Sequence, residues 1–414
     1  MIISRVARLI NYEPVNIRNF SHYSAQSKPV AAWYDGGSAS TRWTDVTGST
    51  CDLAELDLKE LEGALAPLGI EPYRAKQIYS WVHGRAVNEW AHMTDLPKKY
   101  RKSLAEAFTI STPRVVQRAL SEDGTMKFLL ELTDCRRIEA VYIPDSPAHT
   151  FCISTQVGCA MQCTFCLTAK MGLQRHLTAG EIAAQVRLLR SELKLLEQPV
   201  NVVLMGMGEP LHNYEATMHA LRIMTSAHGA ALSPRRITLS TVGILPALTR
   251  LASEPIMPNL AISLHGTTEE QRSSLLPVNR RYPLAELLAT CRAFPLKRRS
   301  RITFEYVLIR NFNDSPADAR RLARLLTGLR AKVNVIPLNS APGIPYERPS
   351  SGQIDRFGRL LAEQRVTVSI RKGRGRDIRA ACGQLVLERT RPSPSQQLAG
   401  LMDTGVHSTP TAEL

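Results

Sequence analysis

FCISTQVGCAMQCTFC, residues 151–166, decides how the rest of the chain is read. Its first five residues form a short apolar run that predicts a strand. Cys159, Cys163 and Cys166 follow at once in a C-x3-C-x2-C spacing, after Gly158 and beside the small Ala160, a composition suited to a tight loop. Soft thiolates cluster in this way to hold a metal centre. A structural zinc ion would want four protein ligands, usually two close pairs, and no second C-x2-C pair exists in the chain. Three thiolates would leave one iron of a four-iron cluster open for a substrate or cofactor.

Downstream of this stretch the pattern repeats. FCIST (151–155), NVVLMG (201–206), RITLST (236–241), LAISLH (260–265), ITFEYVLI (302–309) and KVNVIPL (332–338) read as strands with helical patterns between them. After Leu177, Thr178 and Glu181 form a capping box, and Ile182, Val186, Leu189 and Leu193 share one face. Ser315, Pro316 and Asp318 open another helix in the same way. Strand–helix alternation argues for a parallel sheet. Six units are fewer than the eight that close a full barrel, which predicts an α/β fold with a partial (β/α)6 barrel.

Upstream, residues 52–115 predict a small helical domain. Asp57 and Glu60 cap a first helix with Leu58, Leu61, Leu65 and Leu68 on one face. Pro72 opens a second helix carrying Ile78, Trp81 and Val82, which Gly84 ends. A third, near Pro97, carries Lys98, Lys99, Arg101 and Lys102, either a solvated face or a phosphate grip. KFLLEL (127–132) and RIEAVYIP (137–144) predict a strand pair leading into the barrel, which together span 116–390. Residues 1–50 read as a poorly ordered extension, an organellar transit peptide being the alternative, and 391–414 as a disordered tail.

Lys and Arg total 52 against 37 Asp and Glu, a formal charge of +15. Such an excess favours a polyanionic partner, because cations bound to phosphates release counterions. No apolar run approaches the length of a membrane span, so a spanning protein is excluded. Eight cysteines in 414 residues are too sparse for a disulfide scaffold.

The C-x3-C-x2-C loop after the first barrel strand resembles the radical S-adenosylmethionine superfamily, and GMGEP (206–210) resembles its contact to the methionine amine. SPRRITLSTVG (233–243), AISLHG (261–266), VIPLNSAPGIPY (335–346), RKGRGRDIRAACGQL (371–385), YRAKQIYSWV (73–82) and MTDLPKKYR (93–101) extend the likeness. Together they resemble the RlmN/Cfr family of RNA adenine methyltransferases over about residues 52–390. Glu209-Pro210, ITFEYV, IPLN and Lys372 side with the RlmN branch, which modifies adenine carbon 2; SPRR is closer to the carbon-8 branch.

The resemblance implies one [4Fe-4S] cluster on Cys159, Cys163 and Cys166, and S-adenosyl-L-methionine used twice per turnover. Gly208, Glu209, Ser240, Ser263, Leu264, His265 and Asn339 are the implied cofactor contacts. Cys382 would carry the methyl group as S-methylcysteine, Glu139 would be the general base, and Cys152 would resolve the protein–RNA adduct through a transient disulfide. Read without the resemblance, Glu139 is a surface glutamate at a strand end, His265 a structural histidine, and Cys152 and Cys382 small buried hydrophobes. Cys51, Cys135 and Cys291 are given no role. Arg371, Lys372, Arg374, Arg376 and Arg379 would hold phosphates near Cys382. The implied substrates are adenosine 2503 of 23S rRNA and adenosine 37 of tRNAs. The implied setting is a cytoplasmic monomer, with a reducing protein such as flavodoxin or ferredoxin as electron donor. The rival readings are carbon-8 methylation, radical chemistry on a peptide or metabolite, and a zinc-stabilised RNA-binding module without catalysis.

Overall fold

The computed structural model describes residues 51–144 and 148–385, so the expected extension and tail lie outside the described residues. The chain enters through three helices, α1 (Leu58–Leu65), α2 (Pro72–Tyr79) and α3 (Lys98–Ala107). Asp57 accepts from the Glu60 amide while Glu60 bonds back to the Asp57 amide, the reciprocal cap that the sequence predicts, a device contributing about 1 kcal/mol. Leu61, Leu65, Ile78, Val82, Leu104 and Phe108 belong to a core distinct from that of the sheet. Leu68 departs from expectation: α1 ends at Leu65, the chain tightens into a 3-10 turn, and Leu68 is left 44% exposed. Two short parallel strands, Cys51–Asp52 and Phe108–Thr109, close the unit.

Ten strands then form one sheet in strict chain order: β1 (Arg114–Leu120), β2 (Met126–Glu131), β3 (Arg137–Ile143), β4 (His149–Cys152), β5 (Val200–Leu204), β6 (Ile237–Thr241), β7 (Asn259–Ser263), β8 (Ile302–Leu308), β9 (Ala331–Pro337) and β10 (Val368–Ile370). From β1 to β4 the pairing is antiparallel, and from β4 to β10 it is parallel. The two outer strands do not pair with each other, so the barrel is partial. The expected strand pair before the barrel is in fact three strands. β1 lacks a clear alternating pattern because it is an edge strand in which only Ala119 is buried. β10 is likewise additional, a three-residue edge strand that is largely exposed.

The central strands bury one face completely, Val200, Val202, Ile237, Leu239, Ile262, Phe304, Val333 and Val335 being essentially inaccessible, while alternate residues such as Asn201, Val203, Thr238 and Ser240 stay partly accessible. Helix α4 (Ala179–Glu192) carries the Thr178–Glu181 box and buries Ile182, Val186 and Leu189, while Leu193 falls just past its end. α5 (Tyr214–Thr225) packs beside it. α6 (Leu245–Leu251), α7 (Glu269–Leu275), α8 (Leu284–Ala293), α9 (Pro316–Leu325) and α10 (Ser351–Glu363) follow, and α9 is capped by Ser315 and Asp318 as expected. The helical unit docks on α4 and α5. Glu60 meets His219 at 2.8 Å, Asp57 meets Arg222 at 3.3 Å, and the Tyr79 hydroxyl donates to the Ile223 carbonyl at 3.3 Å. Among the described residues, no helix is long and apolar enough to cross a membrane.

Candidate functional site

The parallel strands end at a common cavity of about 150 Å³. Polar groups gather there because each strand's carboxyl end opens onto a loop, the usual ligand position in βα folds. The cysteine loop forms one wall. Its base is pinched by short strands Gln156–Gly158 and Leu173–His176, and the Cys159 amide donates to the Gly172 carbonyl at 3.0 Å. Gly158 has a φ of +76°, and a Cβ there would stand 1.8 Å from the Gly172 oxygen, so no other residue closes this loop. Burial raises the thiols of Cys159, Cys163 and Cys166, and the charge of neighbouring sulfurs adds to it.

GMGEP forms the opposite wall. A Cβ on Gly206 would come within 2.7 Å of the Ile153 backbone, and one on Gly208, at φ +103°, within 2.6 Å of the Gln156 side chain. Both glycines therefore let the turn lie against the strand that feeds the cysteine loop. Glu209 is buried, its two oxygens accepting from the amides of Leu211 at 3.1 Å and Val242 at 2.9 Å. Burial nevertheless pushes its carboxyl up to about 7.

Ser240, Ser263, His265 and Asn339 line the same cavity. His265 sits at φ +58°, its carbonyl held by the Asn313 amide group at 2.8 Å. Its Nδ1 accepts from the Val307 amide at 3.0 Å. Burial, with the nearby Arg272 charge, pushes the imidazole down to about 3, so it is neutral and keeps its hydrogen on Nε2. Leu264 differs from the other expected contacts. Its side chain is wholly buried outside the cavity wall, and its amide is bonded to the Glu305 carbonyl.

Cys382 also lines the cavity, although it lies far along the chain. Its carbonyl accepts from Asn339 Nδ2 at 3.3 Å, the next carbonyl accepts from the Leu167 amide at 2.8 Å, and the Leu385 carbonyl accepts from the Thr168 hydroxyl at 2.6 Å. The carrier loop is thus fastened to the cysteine loop. Cys152 ends β4 behind the cavity. Burial pushes its thiol up to about 12; the nearby Cys382 sulfur adds to that and Arg371 opposes it. Glu139, on β3, is not the surface glutamate its position suggests. It is 2% exposed and paired with Lys127 at 2.9 Å.

The basic segment beside Cys382 divides. Lys372 and Arg376 face solvent, whereas Arg371 lines the cavity. Asp377 accepts from the Ser121 hydroxyl at 2.6 Å and the Glu122 amide at 3.2 Å, and Asp123 accepts from the Gly375 amide at 3.0 Å. Glu305, buried on β8 and bonded by Asn334 at 2.9 Å, lines the cavity but was not singled out from sequence. Its only signal was its place inside ITFEYV. Cys51, Cys135 and Cys291 lie outside the cavity wall.

Residues 153–323 match the radical SAM superfamily, and residues 51–110 match the ribosomal RNA large subunit methyltransferase N-terminal domain. The dual-specificity RNA methyltransferase RlmN of Anaeromyxobacter dehalogenans (strain 2CP-C) is 45% identical over 361 residues, which cover 85% of this chain and 96% of that protein. The chain belongs to the RlmN family. The RlmN of Syntrophobacter fumaroxidans (strain DSM 10017 / MPOB) is 44% identical over 334 residues, 81% of this chain and 97% of its own. A radical SAM methyltransferase from Sphaerobacter thermophilus, known from its crystal structure, superposes with a TM-score of 0.78 at 45% identity, covering 82% of this chain and 100% of that one.

An RlmN-family enzyme is an RNA methyltransferase that works with a [4Fe-4S] cluster and S-adenosylmethionine, and the residues present fit both. Among the described residues, only Asp57, Glu60 and His219 bring three ligand atoms within 4.8 Å of one another. At least one pair of the three cysteine sulfurs therefore lies more than 4.8 Å apart, wider than the ~3.8 Å separation that zinc–sulfur bonds impose in a tetrahedron. Asn339 lines the cavity, and its Oδ1 is buried with no hydrogen-bond partner among the described residues, an acceptor left for a ligand group to satisfy.

Proposed function

We propose that this enzyme methylates carbon 2 of adenine in RNA, at adenosine 2503 of 23S rRNA and adenosine 37 of tRNAs, through an S-methylcysteine on Cys382. The observation that carries the reading is the fastening of Cys382 to the cysteine loop, in the same cavity and close to Cys152. Carbon 2 of adenine is electron-poor and has no lone pair, so ordinary transfer from a sulfonium cannot reach it. A cluster on Cys159, Cys163 and Cys166 with S-adenosylmethionine beside it would supply the one-electron chemistry, activating a methyl C–H bond and accepting the odd electron that addition to the base leaves.

Cys159, Cys163 and Cys166 hold the cluster. Gly208, Glu209, Ser240, Ser263, His265 and Asn339, with the backbone at Leu264, cradle S-adenosylmethionine, which is consumed twice per turnover. Cys382 presents the methyl carbon to the base. Glu139 accepts the proton from adenine carbon 2 after the carbon–carbon bond has formed. Cys152, having given up its proton, then bonds to the Cys382 sulfur; the carbon–sulfur bond breaks, its electron pair stays on the methylene carbon, and that carbon takes up a proton to become the methyl group of the product. Lys372 and Arg376 beside Cys382, with Lys98, Lys99 and Lys102 on the helical domain of residues 52–115, hold phosphates and leave the target base splayed out. The enzyme acts as a cytoplasmic monomer with a flavodoxin- or ferredoxin-like reductant, a setting that keeps the free thiols reduced.

Anaerobically purified enzyme is incubated with rRNA and tRNA, and the nucleosides are resolved by mass spectrometry. 2-Methyladenosine, formed by protein carrying iron and sulfide, supports the reading. 8-Methyladenosine assigns the other branch of the family, and zinc-loaded protein without product makes the chain an RNA-binding module.

A further inference from the structure

We infer that Lys127 is a positioning residue for the base Glu139 and couples it to the loop that carries Cys382; this rests on the reading of Glu139 given above. On paired strands β2 and β3, Lys127 stands opposite Val141 and Leu129 opposite Glu139, so the two charged side chains share one face on a diagonal. Both are buried, Lys127 to 5% and Glu139 to 2% exposure. The ammonium lies 2.9 Å from Glu139 Oε1 and donates to the Arg379 carbonyl at 3.4 Å. Arg379 lies three residues before Cys382, so one cation reaches both the base and the carrier loop.

Stability alone gives little reason for such a pair. A buried ion pair can often be replaced by apolar side chains with no loss, whereas removing one partner strands the other. Chemistry gives a reason. To take a proton Glu139 must present a carboxylate oxygen where water is excluded, and a buried carboxylate needs a paired cation or a donor. Around it stand Lys127 from β2, the Ser154 hydroxyl donating to the Glu139 carbonyl at 2.6 Å, the Met207 sulfur accepting the Glu139 amide at 3.3 Å, and Cys152 at the end of β4. Lys127 supplies a cation at Oε1 and fixes that oxygen. In the proton transfer the adenine C–H bond breaks, an O–H bond forms on Glu139, and the electron pair returns to the ring.

The full-length, cluster-loaded enzyme tests this with Lys127→Met, Lys127→Arg and Glu139→Gln. Covalent RNA–protein adduct is followed on denaturing gels and product formation is followed against pH. Lys127→Met should retain iron and the S-methyl group on Cys382, accumulate adduct, and resolve it about tenfold more slowly at neutral pH, with the acid limb moved up by about one pH unit. Lys127→Arg, which keeps the cation, should resolve adduct close to the wild-type rate. Should Lys127→Met fail to fold, Lys127→Gln, which keeps a donor and removes only the charge, gives the same readouts. An acid limb unmoved in the neutral variant overturns the inference. Wild-type adduct resolution by Glu139→Gln shows instead that the assignment of the base has failed.

Discussion

The cysteine loop (158–172) and the carrier loop (371–385) bring sulfur to one cavity by opposite means. The first closes at its own base, where Gly158 abuts Gly172, the Cys159 amide bonds across it and a short strand pair seals it, while its tip leans on Leu275 and Tyr346 through Thr164. The second is held largely from elsewhere, by Asp123 and Lys127 on the antiparallel extension and by Asn339, Leu167 and Thr168 around the cavity. A locally closed loop fails when its own residues change. A loop pinned from a distance also fails when its remote partners change.

The largest effects should break the two loops in different ways. Gly158→Ala places a Cβ on the Gly172 oxygen and opens the cysteine loop, so iron and sulfide should fall together with nearly all methylation. Cys382→Ala should abolish methylation as completely while iron, sulfide and the visible absorption stay at wild-type levels. Iron analysis and nucleoside mass spectrometry on both variants make the comparison. Loss of iron from the Cys382 variant would show that the carrier loop is part of the cluster's support.

A smaller effect should come from outside the cavity altogether. Asp377→Ala removes the two bonds, from the Ser121 hydroxyl and the Glu122 amide, that tie the carrier loop to the turn between β1 and β2. At about 1 kcal/mol net for each hydrogen bond, turnover should fall by up to about thirtyfold with bound iron unchanged. Turnover at the wild-type level would mean that the cavity-side bonds alone position Cys382.

This contrast also sets what sequence reading could reach. Local signals carried through: the Asp57–Glu60, Thr178–Glu181 and Ser315–Asp318 boxes, and the strand that precedes the cysteines, are all decided within a few residues. Properties set by neighbours distant in sequence did not. β1 is recognisable only once β2 lies beside it, and β10 only against β9. Leu68 shows the periodicity of a buried face but follows the end of its helix. Asp377 looks like a lone acid among cations, and its role appears only when the turn at 121–123 is seen to accept it. Arg371, grouped by sequence with the phosphate-binding cations, is drawn into the cavity wall because its backbone continues β10 against Val335. Glu305 and Lys127 sit in ordinary strand patterns, and only the cavity and the buried ion pair single them out.

The smallest predicted effect tests the outer support of the cysteine loop, where α4 begins. Glu55 of the helical unit accepts from the Thr178 hydroxyl and, at 2.7 Å, from the Gly180 amide, just after the strand that closes the loop. Burial pushes its carboxyl from the ordinary 4.5 up to about 7, outweighing both hydrogen bonds. A raised carboxyl binds its proton more tightly in the folded state, so its stabilising contribution is full below about 4.5 and is lost as pH rises through about 7. Glu55→Gln keeps an acceptor and cannot ionise. Relative to that variant, the wild-type melting temperature should fall by about 2–4 °C between mildly acidic and mildly alkaline pH, about 1 kcal/mol after allowing for the side chain's partial exposure. Parallel melting curves for the two proteins would show that Glu55 is solvated, and that the helical unit does not load a strained carboxylate onto the start of α4. Iron content should be the same in both, because the base of the cysteine loop is closed by Gly158 and Gly172 and does not draw on Glu55.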